Sequence, residues 1–278
     1  MSRVLAVPAL LLACLAVVGA ALAAGPSLPA LNGASIGNST GAGAVRSVTK
    51  LVGTTTRVEE RVGGRTTKTV TLPGGYGIQL ATLGGDVAGL SGDGGVLVLS
   101  DNVEPNGNLR AQSRFAVVDT RAMTLEQEIS LRGDYSVDAL SPHGDMLYLI
   151  HHVSQRDASR YQVRAYDLRA GRMLPGVVAD KRQAGWVMAG YPVARSATKD
   201  GGWVYTLYQQ DGNYPFVHAL DTADHTAVCI GLPADWVKDA SWLERARLRL
   251  ANGKLRVLTH AGKLRFVVDT KTFRVSTR

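Results

Sequence analysis

A unit of about 50 residues occurs four times in this chain of 278 residues, and it constrains the fold more than any other feature. Each copy contains a turn, an apolar strand, a polar loop and a second strand that ends near an aspartate. A single unit of this kind cannot bury its own apolar faces, so the copies must pack on one another. We predict first strands at residues 96–100, 146–150, 203–207 and 255–259, whose starts are 50, 57 and 52 residues apart, and second strands at 115–120, 163–168, 216–222 and 264–270, with Asp119, Asp167, Asp221 and Asp269 at matching positions.

The residues before the first repeat predict how such a ring closes. A hairpin is predicted from residues 55–61 and 68–72, because β-branched residues flank Gly63-Gly64. It matches the second half of a repeat, and the chain ends on another predicted strand at 273–277. We therefore predict an all-β fold, a β-propeller of about five (four to five) blades of antiparallel strands, closed by pairing of the N- and C-terminal strands.

Two segments carry a resemblance to a known group of proteins. Ser-Pro-His-Gly-Asp-Met-Leu-Tyr-Leu at 141–149 and Val-Arg-Ala-Tyr-Asp-Leu at 163–168 resemble the YVTN and WD40-like repeats of bacterial secreted β-propellers. The resemblance spans residues 89–270, although His143 replaces the usual Asp of the turn. It implies the fold, and it implies that ligands bind on the face that carries the loops between blades. It implies no particular activity, because such repeats occur in lectins, lactonases, dehydrogenase subunits and scaffolds.

The first residues have the pattern of a secretory signal peptide. Arg3 precedes an apolar run from residue 4 to 24, and Ala21-Leu22-Ala23 forms a small-residue cleavage site. We expect residues 1–24 to be a signal peptide and the protein to be secreted or held in the cell envelope. Two alternatives would attach it to a membrane: the run is long enough for an uncleaved anchor, and Leu11-Leu12-Ala13-Cys14 resembles a lipidation site at Cys14.

Composition divides the remainder into two parts. Residues 25–47 are rich in Gly, Ala and Ser and carry almost no charge, which predicts a flexible linker before a propeller domain at 48–278. The net charge is +8, or +7 once Arg3 leaves with the leader. An exported basic protein favours anionic partners such as wall polymers or acidic glycans, and the chain has no nucleic-acid recognition motif. Arg245, Arg247 and Arg249 alternate, so they are expected on one face of a strand.

Alignment of the repeats predicts a ring of polar residues on one face. Equivalent strand ends carry Asp101, His151, Tyr208 and His260, and His152 follows His151. His151 and His260 are candidate ligands for a divalent metal, which is an alternative to our expectation of no cofactor, because imidazole suits several such ions. The alternative without a metal is that these histidines lie at the start of solvent-exposed loops.

Aromatic and acidic residues in the loops between blades form a second candidate surface. Aromatic faces beside carboxylates favour stacking against sugars. The candidates are Asp134, Tyr135, Trp186, Trp236 and Trp242. The competing interpretation is that the tryptophans pack between blades.

Catalysis is not expected from the motifs. A glycosidase would need paired carboxylates, and Asp86 and Asp138 are candidates, but the equivalent positions in later repeats carry Arg195 and Arg247 or Arg249. No nucleophile elbow or phosphate-binding loop is present.

Cys229 is predicted to be a core residue, because His225 on the same predicted strand lies too far away to activate it. We predict a binding or scaffold module for an anionic polymer, a glycan or another protein; the alternative is a hydrolase or lactonase-like enzyme that uses the polar ring.

Overall fold

The computed structural model describes residues 34–35, 39–102, 108–157, 159–182, 187–210, 214–233 and 241–277. These residues form an all-β structure of five antiparallel sheets, which are the blades of a β-propeller. The N-terminal blade contains β2 (Ser39–Ala42), β3 (Val45–Val52), β4 (Thr55–Val62) and β5 (Arg65–Pro73), and the short β1 (Ala34–Ser35) precedes it.

The other four blades are the four predicted repeats. Blade 1 contains β6 (Tyr76–Gln79), β7 (Val96–Asp101), β8 (Gln112–Asp119) and β9 (Thr124–Arg132), with β1 paired to β6. Blade 2 contains β10 (Asp134–Leu140), β11 (Met146–His152), β12 (Arg160–Asp167), β13 (Arg172–Met173) and β14 (Met188–Ala189). Blade 3 contains β15 (Tyr191–Ala197), β16 (Trp203–Gln209), β17 (Phe216–Asp221) and β18 (Thr226–Gly231). Blade 4 contains β19 (Arg247–Ala251), β20 (Lys254–Leu258), β21 (Leu264–Asp269) and β22 (Val275–Thr277).

The repeated aspartate has a structural cause. In each repeat it pairs in register with the first residue of the preceding strand, as Asp119 does with Val96. Its carboxylate then accepts hydrogen bonds from backbone N–H groups two or three residues later, as Asp119 does from Arg121 and Ala122. This is an Asx-turn, which starts the return strand. Asp167, Asp221 and Asp269 repeat the contact.

The N-terminal blade differs from its prediction. The hairpin of β4 and β5 is confirmed, but β2 and β3 complete a four-stranded sheet with it. Residues 39–47 are therefore strands rather than part of a flexible linker; the rest of that predicted linker, apart from residues 34 and 35, lies outside the described residues, as does the leader. The inward positions are filled by hydroxyl side chains, Thr40, Ser47 and Thr49, so no apolar alternation marks these strands in the sequence.

The predicted pairing of the two chain ends is not found in the described part of the chain. The last strand, β22, pairs with β21 inside blade 4, and the N-terminal strands pair among themselves or with β6. Four apolar clusters instead join the blades in chain order, from the N-terminal blade through blades 1, 2 and 3 to blade 4. Each end blade thus has one face packed on its neighbour through these clusters.

A segment of blade 1 connects it to blade 3. After β6 the chain leaves the sheet at residue 80 and returns at residue 88, where Ala88 donates a hydrogen bond to the Gln79 carbonyl. Within this excursion the N–H groups of Leu83 and Gly84 donate to the carbonyls of Pro192 and Val193 on β15, at 2.9 and 3.0 Å. Blades 1 and 3 are therefore bound directly to each other, although blade 2 separates them in the chain.

The turns that follow the inner strands meet at one place. Asp93 of blade 1 donates from its N–H to the Pro142 carbonyl of blade 2 at 3.0 Å. Gly92 lies so close to the backbone of Asp200 in blade 3 that a Cβ atom there would overlap the Asp200 carbonyl oxygen. Three blades thus converge at these turns.

No helix in the described ranges is long and apolar enough to cross a membrane.

Replacement of Gly92 by alanine tests this convergence. Gly92→Ala is expected to lower the free energy of unfolding by about 1–3 kcal/mol, because the new methyl group must push the turns of blades 1 and 3 apart. Gly231→Ala is the matched control: nothing lies within 4 Å of the added atom, and its effect should stay within about 0.5 kcal/mol. Urea unfolding measures both, and equal effects would contradict the contact.

Candidate functional site

The most connected polar cluster lies at the junction of blades 1 and 2, around Arg110. Its guanidinium donates to Asp134 Oδ1 through Nε and to Asp101 Oδ1 through Nη1, both at 3.0 Å, and Nη2 donates to the Tyr135 carbonyl. The Arg110 backbone N–H also donates to Asp134 Oδ2 at 3.2 Å. The Arg110 side chain is only 10% exposed, and those of Asp101 and Asp134 are 4% and 0% exposed. Arg110 therefore binds two buried carboxylates, and the more exposed Arg114 lies 3.7 Å from Asp101 as a second cation.

Three more of the sequence-predicted residues adjoin this cluster. Tyr135 and His151 are register partners on β10 and β11, and their rings stack with centroids 4.3 Å apart and an interplanar angle of 11°. His152 is the register partner of Asp134. Burial lowers the pKa of His151, and Arg164 adds to this while Asp134 opposes it, so the ring is neutral at pH 7. Asp101, Asp134, Tyr135, His151 and His152 are thus brought together, in one junction rather than around a ring.

Tyr208 lies in a different junction, between blades 2 and 3. It is buried, and its ring stacks on Phe216 and Tyr161 at centroid distances of 5.1 and 5.4 Å. Burial raises the pKa of Tyr208 well above its usual value. The adjoining cavity of about 30 Å³, bordered by Ser136, His152, Tyr161 and Tyr208 among others, has room for about one water molecule and not for a sugar.

His151 and His260, the metal ligands predicted from the sequence, lie in different blades. His260 is exposed just beyond β20, where Arg247 Nη2 donates to its Nδ1 at 3.3 Å. His151 stacks on Tyr135 in blade 2. Within the described ranges no group of three or more His, Cys, Asp or Glu side chains is arranged to hold a metal ion.

Trp242 is half-buried. It lies against the core shared by blades 3 and 4, with its ring 6.3 Å from that of Phe266 and the Arg265 guanidinium 5.2 Å above it. Trp186 and Trp236 lie outside the described residues.

The inner strands carry a second buried ion pair. Arg195 of β15 contacts the Asp138 carboxylate through Nη2 and the Asp138 carbonyl through Nη1, and its Nε donates to Thr206 Oγ1 at 3.2 Å. The Arg195 backbone N–H donates to Asp86 Oδ2 at 2.8 Å. The two carboxylates considered for glycoside hydrolysis are therefore both hydrogen-bonded to Arg195. Asp86, Arg195 and Ser39 border an open hollow of about 620 Å³.

The outward face of blade 4 is basic. Arg247 and Arg249 are exposed on the same face of β19, as the alternation predicts, while Leu248 and Leu250 on the other face pack toward blade 3. The prediction is wrong for Arg245, which lies in a short helical turn at residues 241–245 before the strand begins. The register places Arg249 directly opposite Arg256 of β20. Like charges in such cross-strand positions repel each other. No carboxylate of the described residues forms an ion pair with Arg247, Arg249 or Arg256, so this repulsion is not compensated there.

The N-terminal blade also has basic residues paired across neighbouring strands, but a carboxylate lies among them. Arg46 pairs in register with Arg61, and Lys50 with Arg57. Here Glu59 lies between them: hydrogen bonds from Lys50 and Arg61 lower the pKa of its carboxyl group to about 2. This carboxylate offsets part of the positive charge, which makes the blade 4 face the stronger candidate for an anionic ligand.

Comparison with known proteins finds similarity in structure alone. No protein-family model matches the chain, and no curated protein matches its sequence. Solved structures that resemble it include the hydrazine synthase of Kuenenia stuttgartiensis (TM-score 0.48, 13% identity, 89% of this chain and 66% of that one), TolB from Acinetobacter baumannii (0.42, 11%, 80% and 50%) and BamB from Moraxella catarrhalis (0.44, 14%, 86% and 62%). The chain spans half to two thirds of the length of these proteins.

Removal of the Arg110 charge tests the junction of blades 1 and 2. Arg110→Met is expected to lower the free energy of unfolding by about 3–5 kcal/mol, because the buried Asp134 would lose its ion pair with Arg110 and Asp101 would keep only its longer contact with Arg114. The control is Arg121→Met, which removes a surface arginine that is 70% exposed and bound to Asp93; its cost should be below about 1 kcal/mol. Chemical denaturation at pH 7 measures the free energy of unfolding of both variants. If Arg110→Met loses no more stability than Arg121→Met, the ion pairs of Arg110 do not stabilise the junction of blades 1 and 2.

Proposed function

We propose that the protein is an exported binding module whose ligand is an anionic polymer of the cell envelope, bound by the outward face of blade 4. The observation that carries the proposal is the cross-strand arginine pair, Arg249 and Arg256, with Arg247 two residues along β19. A fold gains nothing from three uncompensated guanidinium groups on one sheet face. A polyanion would convert their mutual repulsion into attraction.

The geometry of the face suits a polymer with regularly spaced charges. Alternate residues of a strand are about 6.6–6.8 Å apart, and neighbouring strands are about 4.8 Å apart. The arginines therefore present a short two-dimensional array of positive charge. Guanidinium groups bind carboxylate and phosphate groups in a bidentate manner, so acidic sugars and phosphate polyesters both have suitable chemistry. We favour an acidic polysaccharide.

The leader supports the location. An arginine followed by a long apolar run and a small-residue site is the pattern of an exported chain. Secretion would bring the basic face into contact with envelope polymers rather than with cytoplasmic nucleic acid.

The two other candidate functions have less support. Stacking of a neutral glycan needs exposed aromatic rings, but Trp242, Tyr135 and Tyr208 are packed against neighbouring side chains. A hydrolase or lactonase-like enzyme needs available carboxylates, and Asp101, Asp134 and Asp138 are each bound to an arginine.

Binding to polygalacturonate, an acidic polysaccharide, tests the proposal. We expect measurable affinity at low salt that falls as ionic strength rises, because exposed charges are screened beyond about 10 Å at 0.1 M salt. The double variant Arg249→Glu and Arg256→Glu should weaken binding by at least tenfold, measured by isothermal titration calorimetry.

Two controls make the result specific. Lys199→Glu together with Arg169→Glu changes the net charge by the same amount on exposed turns of blades 3 and 2, and it should reduce affinity by less than threefold. Uncharged dextran should not bind. If both double variants lose affinity equally, general charge rather than the blade 4 face is responsible; if the wild-type protein binds dextran equally well, the ligand is a neutral glycan.

A further inference from the structure

A polar row crosses blade 3 beneath its contact with blade 2. Arg195, Thr206, His218 and Cys229 occupy β15, β16, β17 and β18 in turn, and each is the register partner of the next. Partners in adjacent strands have their side chains on the same face of a sheet. Arg195 contacts Asp138 of blade 2, so this is the face covered by blade 2. The row therefore ends with an imidazole beside a thiol in a largely apolar interface.

The imidazole and thiol are in direct contact. Cys229 Sγ lies 3.7 Å from His218 Nδ1. His218 is only 2% exposed, and its other ring nitrogen, Nε2, is buried without a hydrogen-bond partner. The sulfur is thus the atom toward which this buried imidazole directs its polar contact. In the sequence, Cys229 was weighed only against His225, which lies in the turn before β18, and the pair was missed because the partner of Cys229 comes from the neighbouring strand.

Both groups are neutral in the folded protein. Burial lowers the pKa of His218 to about 4; Asp138 opposes this effect and Arg195 adds to it. Burial raises the pKa of the Cys229 thiol to about 11, and Asp180 adds to this. An imidazole that stays unprotonated at pH 7 keeps a lone pair available for a metal ion.

We propose that Cys229 Sγ and His218 Nδ1 together form a two-coordinate binding site for a soft monovalent cation, Cu(I). Binding replaces the thiol proton: a sulfur–copper bond forms as the S–H bond breaks, one proton passes to solvent, and no electron is transferred. Thiolate and imidazole are ligands that copper accepts, and thiolate in particular selects the soft Cu(I) ion.

Charge and ligand number both favour a monovalent ion. A thiolate with Cu(I) and a neutral imidazole has no net charge, the same as the thiol and imidazole that it replaces. A divalent ion would leave one uncompensated positive charge in a buried interface, which is costly. Zn(II) also takes four ligands as a rule, and no group of three potential ligands is found among the described residues.

The separation of the two atoms fits two bonds to one ion. Metal–sulfur and metal–nitrogen bonds of about 2.3 and 2.0 Å span at most about 4.3 Å when they are collinear. The present 3.7 Å corresponds to a bent arrangement, and a small side-chain rotation would straighten it.

The site is also reachable. Cys229 is partly exposed on β18, the edge strand of blade 3. The neighbouring loop is held there by Asp180, whose Oδ2 accepts the Cys229 N–H at 2.9 Å and whose carboxylate binds Arg182. An ion could therefore enter from the edge of the sheet without separating blades 2 and 3.

Transfer of Cu(I) from bicinchoninate tests the proposal, with the full chain under anaerobic, reducing conditions. We expect one Cu(I) per protein, and at least 100-fold weaker binding for both Cys229→Ser and His218→Asn. Cys14→Ser and His143→Asn are controls that remove the other cysteine and an exposed histidine, and they should bind as the wild type does. Circular dichroism establishes that each variant is folded.

A second readout does not depend on the variants. X-ray absorption of the Cu(I)-loaded wild-type protein should give one sulfur and one nitrogen ligand. Affinity should rise about tenfold per pH unit from pH 6 to 8, because one proton leaves. The titratable and charged groups that face the pair are Asp138 on β10, Tyr161 on β12, Arg195 on β15, Tyr208 on β16, and Asp180 with Arg182 in the adjacent loop. Absence of uptake, full uptake by Cys229→Ser, or a copper spectrum without sulfur would each overturn the proposal.

Discussion

The contact between the segment at residues 80–90 and β15 is the constraint on which the rest of the structure depends. Two backbone hydrogen bonds, from Leu83 to Pro192 and from Gly84 to Val193, bind blade 1 to blade 3. The Arg195 N–H, held by Asp86, adds a third link, and the Arg195 side chain holds Asp138 of blade 2. Three blades are thus fixed relative to one another by groups on their inner strands. These inner charges bind one another, and the polymer site that we propose therefore lies on an outer surface.

The outer surfaces of the two end blades follow from the same arrangement. Apolar clusters join neighbouring blades in chain order, and β22 pairs only within its own sheet in the described part of the chain. The outward face of blade 4 then carries Arg247, Arg249 and Arg256 instead of apolar residues. In blade 4 the apolar alternation of β19 decides which face packs, and the other alternate positions carry the arginines of the proposed binding face.

The sequence predicted most features that arise within one repeat. The turns, the two strands of each unit and the repeated aspartate depend on residues close in the chain, and all four units have the predicted order. Contacts between blades were not predictable in this way. Arg110 lies in a loop that does not repeat, so nothing in the alignment indicated that it would bind Asp101 and Asp134. The strands at residues 39–47 were missed because they bury hydroxyl groups, and the His218–Cys229 pair because it depends on register.

Hydrogen–deuterium exchange at the amides of Leu83 and Gly84 tests the central constraint most directly. If these N–H groups bind β15 as described, they should exchange as slowly as the amides of Tyr205 and Leu207 in the middle of blade 3, because all of them would open only with the core. Rapid exchange at residues 83 and 84, at the rate of an exposed turn such as that at Gly176, with blade 3 still protected, would contradict the account. It would mean that the segment at residues 80–88 does not bind β15.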